Sequence, residues 1–255
     1  MRVARALALA VALLLGGAVT AGAEPLKVMS AGAVSGAIKA LAPEFTKATG
    51  VEVTLVFGNV GMIEDRLKAG ERADVLILAA PAMEKQRQAN GLAGAVVPLG
   101  RTGMGLAVKA DAPKPDISTP EKFKAALLAA KSIAYSDPAG GGSSGIYFDR
   151  LIEKLGIAEA IRQKAVLIRG GSAADKVASG EAELAVQNVS ELQGVAGVTL
   201  VGAFPAEYQN YVLYVAGIPV GTPRLEDAEA FLRHLTAADA AAIWRAAGIV
   251  PADLQ

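Results

Sequence analysis

The sequence has no cysteine, a single histidine and a single tryptophan, and aromatic residues make up only 5% of it. Without cysteine there are no disulfides, no thiolate metal ligands and no thiol nucleophile, so the fold must rest on its apolar core. With His234 as the one histidine, serine–histidine catalysis and multi-histidine metal sites have little to work with. No metal and no cofactor is expected, and His234 itself reads as a solvated residue of a C-terminal helix. An excess of one charge is missing as well: 25 basic residues balance 25 acidic ones. No Lys/Arg block is present of the kind that tracks a nucleic-acid backbone or an anionic membrane, so nucleic acid is not an expected partner.

What the chain has in abundance is apolar material, 53% of 255 residues, enough for one large core or two modest ones. One stretch stands apart. Arg2 and Arg5 precede an apolar run over residues 6–19, and Ala21-Gly22-Ala23 ends it with small residues at the positions a signal peptidase reads. Residues 1–23 are therefore expected to be a signal peptide cleaved before Glu24, because the run is shorter than the ~20 residues needed to span a bilayer. Export without membrane insertion of the mature chain follows. Cleavage removes two arginines and leaves the chain near neutral, so any selectivity for anions must come from a local site.

Along the mature chain, short apolar runs alternate with segments of helical spacing. Strands are predicted at 26–29, 51–57, 74–78, 103–109, 132–135, 165–168, 184–187 and 211–218. Helices are predicted from Gly36 to near Gly50, then at 62–69, 82–90, 120–130, 145–155, 172–179, 225–235 and 237–247. Strand, loop and helix repeated in this way predict an α/β fold of mainly parallel sheets with helices on both faces. Asp111-Ala112-Pro113-Lys114-Pro115 cannot lie inside a helix and reads as a crossing into a second lobe. The return is placed at the 211–218 strand. Lobe 1 is then 24–108 with 214–255, lobe 2 is 109–213, and two crossings leave a hinge and a cleft.

Four loops follow strands with small residues that let a ligand approach the backbone: 31–35, 58–61, 140–145 and 170–172. A helix start carries unpaired N–H groups and a partial positive charge, so several of them facing one cleft would bind an anion in a neutral protein. Gly140-Gly141-Gly142-Ser143-Ser144-Gly145 lacks the Gly-Lys-Ser/Thr ending of a nucleotide loop, since Ile146 and Tyr147 follow.

The run Val28-Met29-Ser30-Ala31-Gly32-Ala33-Val34 is followed by Phe57-Gly58-Asn59-Val60-Gly61, by Ala69-Gly70-Glu71-Arg72-Ala73-Asp74-Val75, and by Ser144-Gly145-Ile146-Tyr147. In order and spacing these segments resemble the periplasmic molybdate-binding proteins over nearly the whole mature chain. The resemblance implies the two-lobed type II periplasmic-binding fold, a periplasmic monomer with an ABC permease as partner, and capture of a small anionic ligand by loop amides and hydroxyls. Its departures fall where that family selects its ligand. Ala33 stands at a position that is usually serine, Asn59-Val60-Gly61 replaces a serine cluster, and Gln187 replaces a tyrosine. Each lost hydroxyl removes a donor worth about 1 to 3 kcal/mol to a desolvated oxyanion, which turns the reading from molybdate towards a carboxylate. The expected ligand contacts are Ala33, Val34, Asn59, Val60, Gly61, Ser143, Ser144, Arg169, Gly170 and Gln187, with the Arg169 guanidinium suited to a bidentate carboxylate.

Two functions fit these expectations. One is a binding protein that delivers a small anion, more readily a carboxylate, to an importer. The other is catalysis in the same fold, since exported aconitate isomerases are similar to this family. A tricarboxylate would suit Arg169, the loop amides and Arg66, Lys39 or Lys176, and an allylic proton shift needs one base. Glu64, Asp65, Tyr147 or a water could serve, and spacing does not select among them. A structural or signalling module with a vestigial cleft is a third reading.

Overall fold

The computed structural model describes residues 24–252. The predicted signal peptide lies outside them.

The first half of the chain is laid down as β1 (Leu26–Ala31), α1 (Ser35–Thr49), β2 (Val53–Gly58), α2 (Val60–Lys68), β3 (Val75–Ala79), α3 (Ala80–Gln88) and the long β4 (Leu92–Lys109). Next come α4 (Pro120–Ala129), β5 (Ile133–Ser136), α5 (Ser143–Lys154), α6 (Ala158–Arg162), β6 (Ala165–Ile168), α7 (Ala173–Ala178), β7 (Leu184–Asn188), α8 (Val189–Leu192) and β8 (Val198–Ala203). The chain ends with β9 (Tyr211–Pro219), α9 (Leu225–Leu235), α10 (Ala240–Ala246) and β10 (Val250–Pro251). Strand pairing follows the order β2-β1-β3-β9-β4-β7-β5-β6, with β8 and β10 added on β4.

Alternation along the strands sorts side chains onto two faces, as a period of two requires. In the first lobe Val28 and Ile77 join Phe45, Phe231 and Trp244 under α1, α9 and α10, while Met29 and Leu76 join Ile63 and Met83 under α2 and α3. In the second lobe Ile133 and Tyr135 pack with Phe123 and Phe148 of α4 and α5, while Ala134 packs with Ala173, Ala174 and Val177 of α7. Small alanines on that second face let the short α7 sit close to the sheet.

The pairing differs from the sequence expectation at the middle of the molecule. The outer ladders, β1 with β2 and β3 and β5 with β6 and β7, are parallel as expected. The central ones, β9 with β3 and β4, and β4 with β7 and β8, are antiparallel. The physical reason is the 18-residue β4, which belongs to both lobes: Leu92 to Gly103 pair with β9, and Met104 to Lys109 with β7 and β8. The pairing thus changes partner between Gly103 and Met104, ahead of the 111–115 segment where the sequence puts the crossing. Gln209 closes the second connection beside it, accepting from Met104 N at 2.6 Å and donating to Met104 O at 3.0 Å. His234 is also not free in solvent: it is half-buried beside Phe45, with Nε2 at 3.0 Å from the Leu41 carbonyl, tying α9 to α1.

Candidate functional site

Strand ends from both lobes open into one cavity of about 550 Å³. Its first wall is made by Ala31, Gly32, Ala33, Ser35 and Gly36 around the start of α1 and by the turn from β2 into α2, with Phe57, Asn59, Val60 and Met62. Its second wall is made by Ser136, the start of α5, the turn into α7, and the segment from Gln187 to Val195. Tyr214 of β9 closes the back.

Five helices start at this cavity, α1, α2, α5, α7 and the four-residue α8, and they are not equivalent. The Asn59 side chain accepts from Met62 N and caps α2, and the Ser172 side chain accepts from Ala174 N and caps α7. Gln187 Oε1 takes a further α7 amide, that of Ala173, at 2.7 Å. The starts of α1, α5 and the single-turn α8 have no side-chain cap, and of these α1 and α5 are full-length helices. A 3-10 turn over Gly32–Val34 leads into α1 and takes the Ser35 N–H on the Gly32 carbonyl, so the open donors on the first wall lie at the start of that uncapped turn; with the first-turn N–H groups of α5 on the second wall, they are where an anion finds donors and positive potential. Gly145 makes the α5 start possible: a methyl there would lie 2.0 Å from the Ser136 carbonyl oxygen at the end of β5.

Between the two starts stands a carboxylate. β7 turns directly into the four-residue α8, so Gln187, Asn188 and Glu191 fall on one turn. Gln187 Nε2 donates to Glu191 Oε1 and Asn188 Nδ2 to Glu191 Oε2, each at 2.7 Å. Ser172 Oγ holds the Glu191 backbone carbonyl at 2.7 Å, and Gly32 of the opposite wall faces the carboxylate. Burial pushes the Glu191 carboxyl up to about 7, while the two amides act in the other direction by stabilising the charged form. Two nearby polar atoms, Asn188 Oδ1 and Ser190 Oγ, are buried without a hydrogen-bond partner, and both residues line the cavity. Lys39 lies at the rim with its ammonium 5.2 Å from the Phe57 ring centroid.

The family profile of the bacterial extracellular solute-binding proteins matches residues 26–250. The chain belongs to that family. This solute-binding protein is 35% identical over 237 residues to an aconitate isomerase from a Pseudomonas species, a match covering 90% of this chain and 89% of that one. Among solved structures it is similar to the periplasmic molybdate-binding protein of Azotobacter vinelandii, with a TM-score of 0.74 and 25% identity over 88% of this chain and 98% of that one. It also shares its fold with the sulfate-binding protein of Mycobacterium tuberculosis, with a TM-score of 0.71 and 16% identity over 90% and 88% of the two chains.

Of the contacts expected from the sequence, Ala33, Asn59, Val60, Ser143, Ser144, Gly170 and Gln187 line the cavity of this solute-binding protein. Val34 instead packs in the first-lobe core. Gly61 faces the other lobe: a methyl on it would come within 2.6 Å of the Gly140 carbonyl oxygen, and Asn59 Nδ2 beside it donates to the Arg169 carbonyl at 3.0 Å. The Arg169 side chain points outward, 87% exposed, with Nε 3.2 Å from Asp137. The other charged candidates are engaged elsewhere. Arg66 pairs with Glu71, Lys176 with Glu181 and Asp65 with Lys68, Glu64 stands outside the cavity wall, and the Tyr147 hydroxyl donates to the Tyr208 carbonyl at 2.8 Å. Lys39 is the one of these that reaches the rim.

Glu191 and Tyr214 were not among the expected contacts. A legible signal existed for the first, two amides three and four residues ahead of a glutamate directly after a strand. It required recognising that β7 runs into a helical turn without a loop.

Proposed function

We propose that this protein is an exported aconitate isomerase, interconverting the cis and trans forms by an allylic proton shift with Glu191 as the base. The observation that carries the reading is the placement of Glu191. In its ionised form a carboxyl in the wall repels a polyanion, so a cavity made only to hold one is better served by a neutral donor there. A proton-shifting cavity needs such a group. The uncapped starts of α1 and α5 lie on opposite walls, so a substrate with carboxylates at both ends can bridge them with its methylene held at the middle. Glu191 then takes a proton from the methylene, the electron pair spreads over the three-carbon unit, and the same proton or one from solvent returns at the former vinyl carbon. The double bond moves by one position. Desolvation that raises the carboxyl towards neutral pH also makes it a better base when ionised, and a positioned base of this kind contributes about 10²- to 10⁴-fold. The similarity to an aconitate isomerase over most of both chains supports the same substrate.

The second reading is a periplasmic binding protein that hands a small carboxylate to an ABC permease, which the family itself favours. In both readings the two lobes, joined between Gly103 and Met104 and again beside Gln209, close on the ligand. One experiment separates them. Catalytic amounts of the mature protein mixed with trans-aconitate in heavy water should give cis-aconitate carrying deuterium, followed by proton NMR. Saturable binding with an unchanged spectrum would leave the transport reading standing.

A further inference from the structure

Resting on the isomerase reading, we propose that Tyr214 is a further catalytic residue, the hydrogen-bond donor that stabilises the delocalised anion, supplied from β9 into the cavity that Glu191 also lines. Tyr214 sits on β9, paired with Ala79 of β3 and Gly100 of β4, and so belongs to the first lobe's sheet. Its ring is buried, yet it lines the cavity. Its hydroxyl is 3.4 Å from Ser143 Oγ at the uncapped start of α5, so the phenol and the α5 amides converge on one spot although they come from different lobes.

The chemistry requires a donor at such a spot. When the methylene C–H bond breaks and its proton passes to Glu191, the electron pair is shared between the two ends of the three-carbon unit. Each end bears a carboxylate, whose oxygens take up the added charge. Reprotonation at the other end by the Glu191 carboxyl restores the neutral carbon framework, with no redox change. A donor aimed at those oxygens is worth most while the charge is present, which is the condition for raising kcat rather than tightening binding. Burial and the nearby Glu191 charge raise the Tyr214 hydroxyl well above its ordinary range. It therefore stays protonated and gives a hydrogen bond, leaving the proton transfer itself to Glu191.

The test compares wild type with Tyr214→Phe and Ser143→Ala, measuring turnover of trans-aconitate by NMR and binding of the saturated analogue propane-1,2,3-tricarboxylate by calorimetry. Tyr214→Phe keeps the packed ring and should lower kcat about 100-fold, the usual effect of losing one such donor. Its affinity for the saturated analogue, which never develops the extra charge, should change less than about threefold. Ser143→Ala, which leaves β9 untouched, should show the same kcat-only pattern at about tenfold. Full kcat in Tyr214→Phe, or a kcat loss matched by an equal loss of analogue affinity in both variants, overturns the role. A wild-type protein without turnover overturns the isomerase reading and this role with it, whereas active wild type with active Tyr214→Phe overturns the role alone.

Discussion

The two walls of the cavity are built on different principles. On the second wall Gln187, Asn188, Ser172 and Glu191 bond to one another and to the α7 amides within a single network, so each polar group is held in one orientation. On the first wall Ala31, Gly32, Ala33, Ser35 and Gly36 present small side chains and backbone, flanked by the larger Phe57, Val60 and Met62 and one rim lysine. They meet the far side at the rim through Asn59 and Gly61, and beside the carboxylate through Gly32. The difference implies a division of labour in which the second wall, joined by Tyr214 from the first lobe's sheet, carries the proton chemistry while the first-lobe loops close over it. Substitutions on the second wall should therefore act on kcat, and those on the first rim on the affinity set by closure.

The largest effect is expected at the centre of the network. Glu191→Gln keeps the shape and one of the two amide hydrogen bonds to the carboxyl but removes the base, and kcat should fall about 10²- to 10⁴-fold. Two pH profiles sharpen the point because they run in opposite directions. In wild type kcat/KM should rise with pH through about 7, as the carboxyl of the free protein ionises. Stability should do the reverse. A carboxyl raised from 4.5 to about 7 by folding binds its proton more tightly in the native state. Its favourable contribution is complete below about pH 4.5 and is lost as the pH climbs to about 7. The melting midpoint of wild type should thus drop relative to Glu191→Gln between pH 5 and 8. Parallel melting curves across that range, or a Glu191→Gln variant with full activity, would break the division between the walls.

A smaller effect is expected on the first rim. In Gly61→Ala the added methyl meets the Gly140 carbonyl at 2.6 Å only where the two rims touch. Overpacking of this kind costs about 1 to 3 kcal/mol, and if it falls on the closed form alone it weakens substrate binding by roughly 5- to 100-fold. The melting midpoint of the unliganded protein should stay put, and small-angle scattering should show less compaction on adding trans-aconitate. A loss of kcat at unchanged KM would instead put Gly61 with the chemistry.

Most of the elements were legible in the sequence because each lobe repeats strand, loop and helix with clean apolar spacing. What was not legible came from long-range pairing. Nothing local in residues 92–103 distinguishes a strand that ends from one that continues, so β4's passage through both lobes and the antiparallel middle of the sheet were missed. The cavity loops could be found from their small residues, and seven of the ten expected contacts do line it. Glu191 was hidden by the absence of a loop after β7. Tyr214 was hidden because a buried aromatic in an apolar strand looks the same whether its hydroxyl meets core or cavity.

Arg169 shows the limit most plainly, and the smallest expected effect belongs to it. By residue type it is the natural partner for a carboxylate, and it directly precedes a cavity loop whose Gly170 lines the site. The backbone at 169 does take part in closure, since its carbonyl accepts from Asn59 at 3.0 Å. The guanidinium, however, is directed away, and an ion pair this exposed contributes at most about 1 kcal/mol to the fold. Arg169→Ala removes the side chain and keeps the carbonyl. Its KM for trans-aconitate should stay within about threefold of wild type, against the tenfold or more that losing a charged hydrogen bond to the substrate would cost. A measured tenfold rise would mean that the arginine swings into the cleft when substrate arrives, and would move part of the anion recognition back to the place the sequence first suggested.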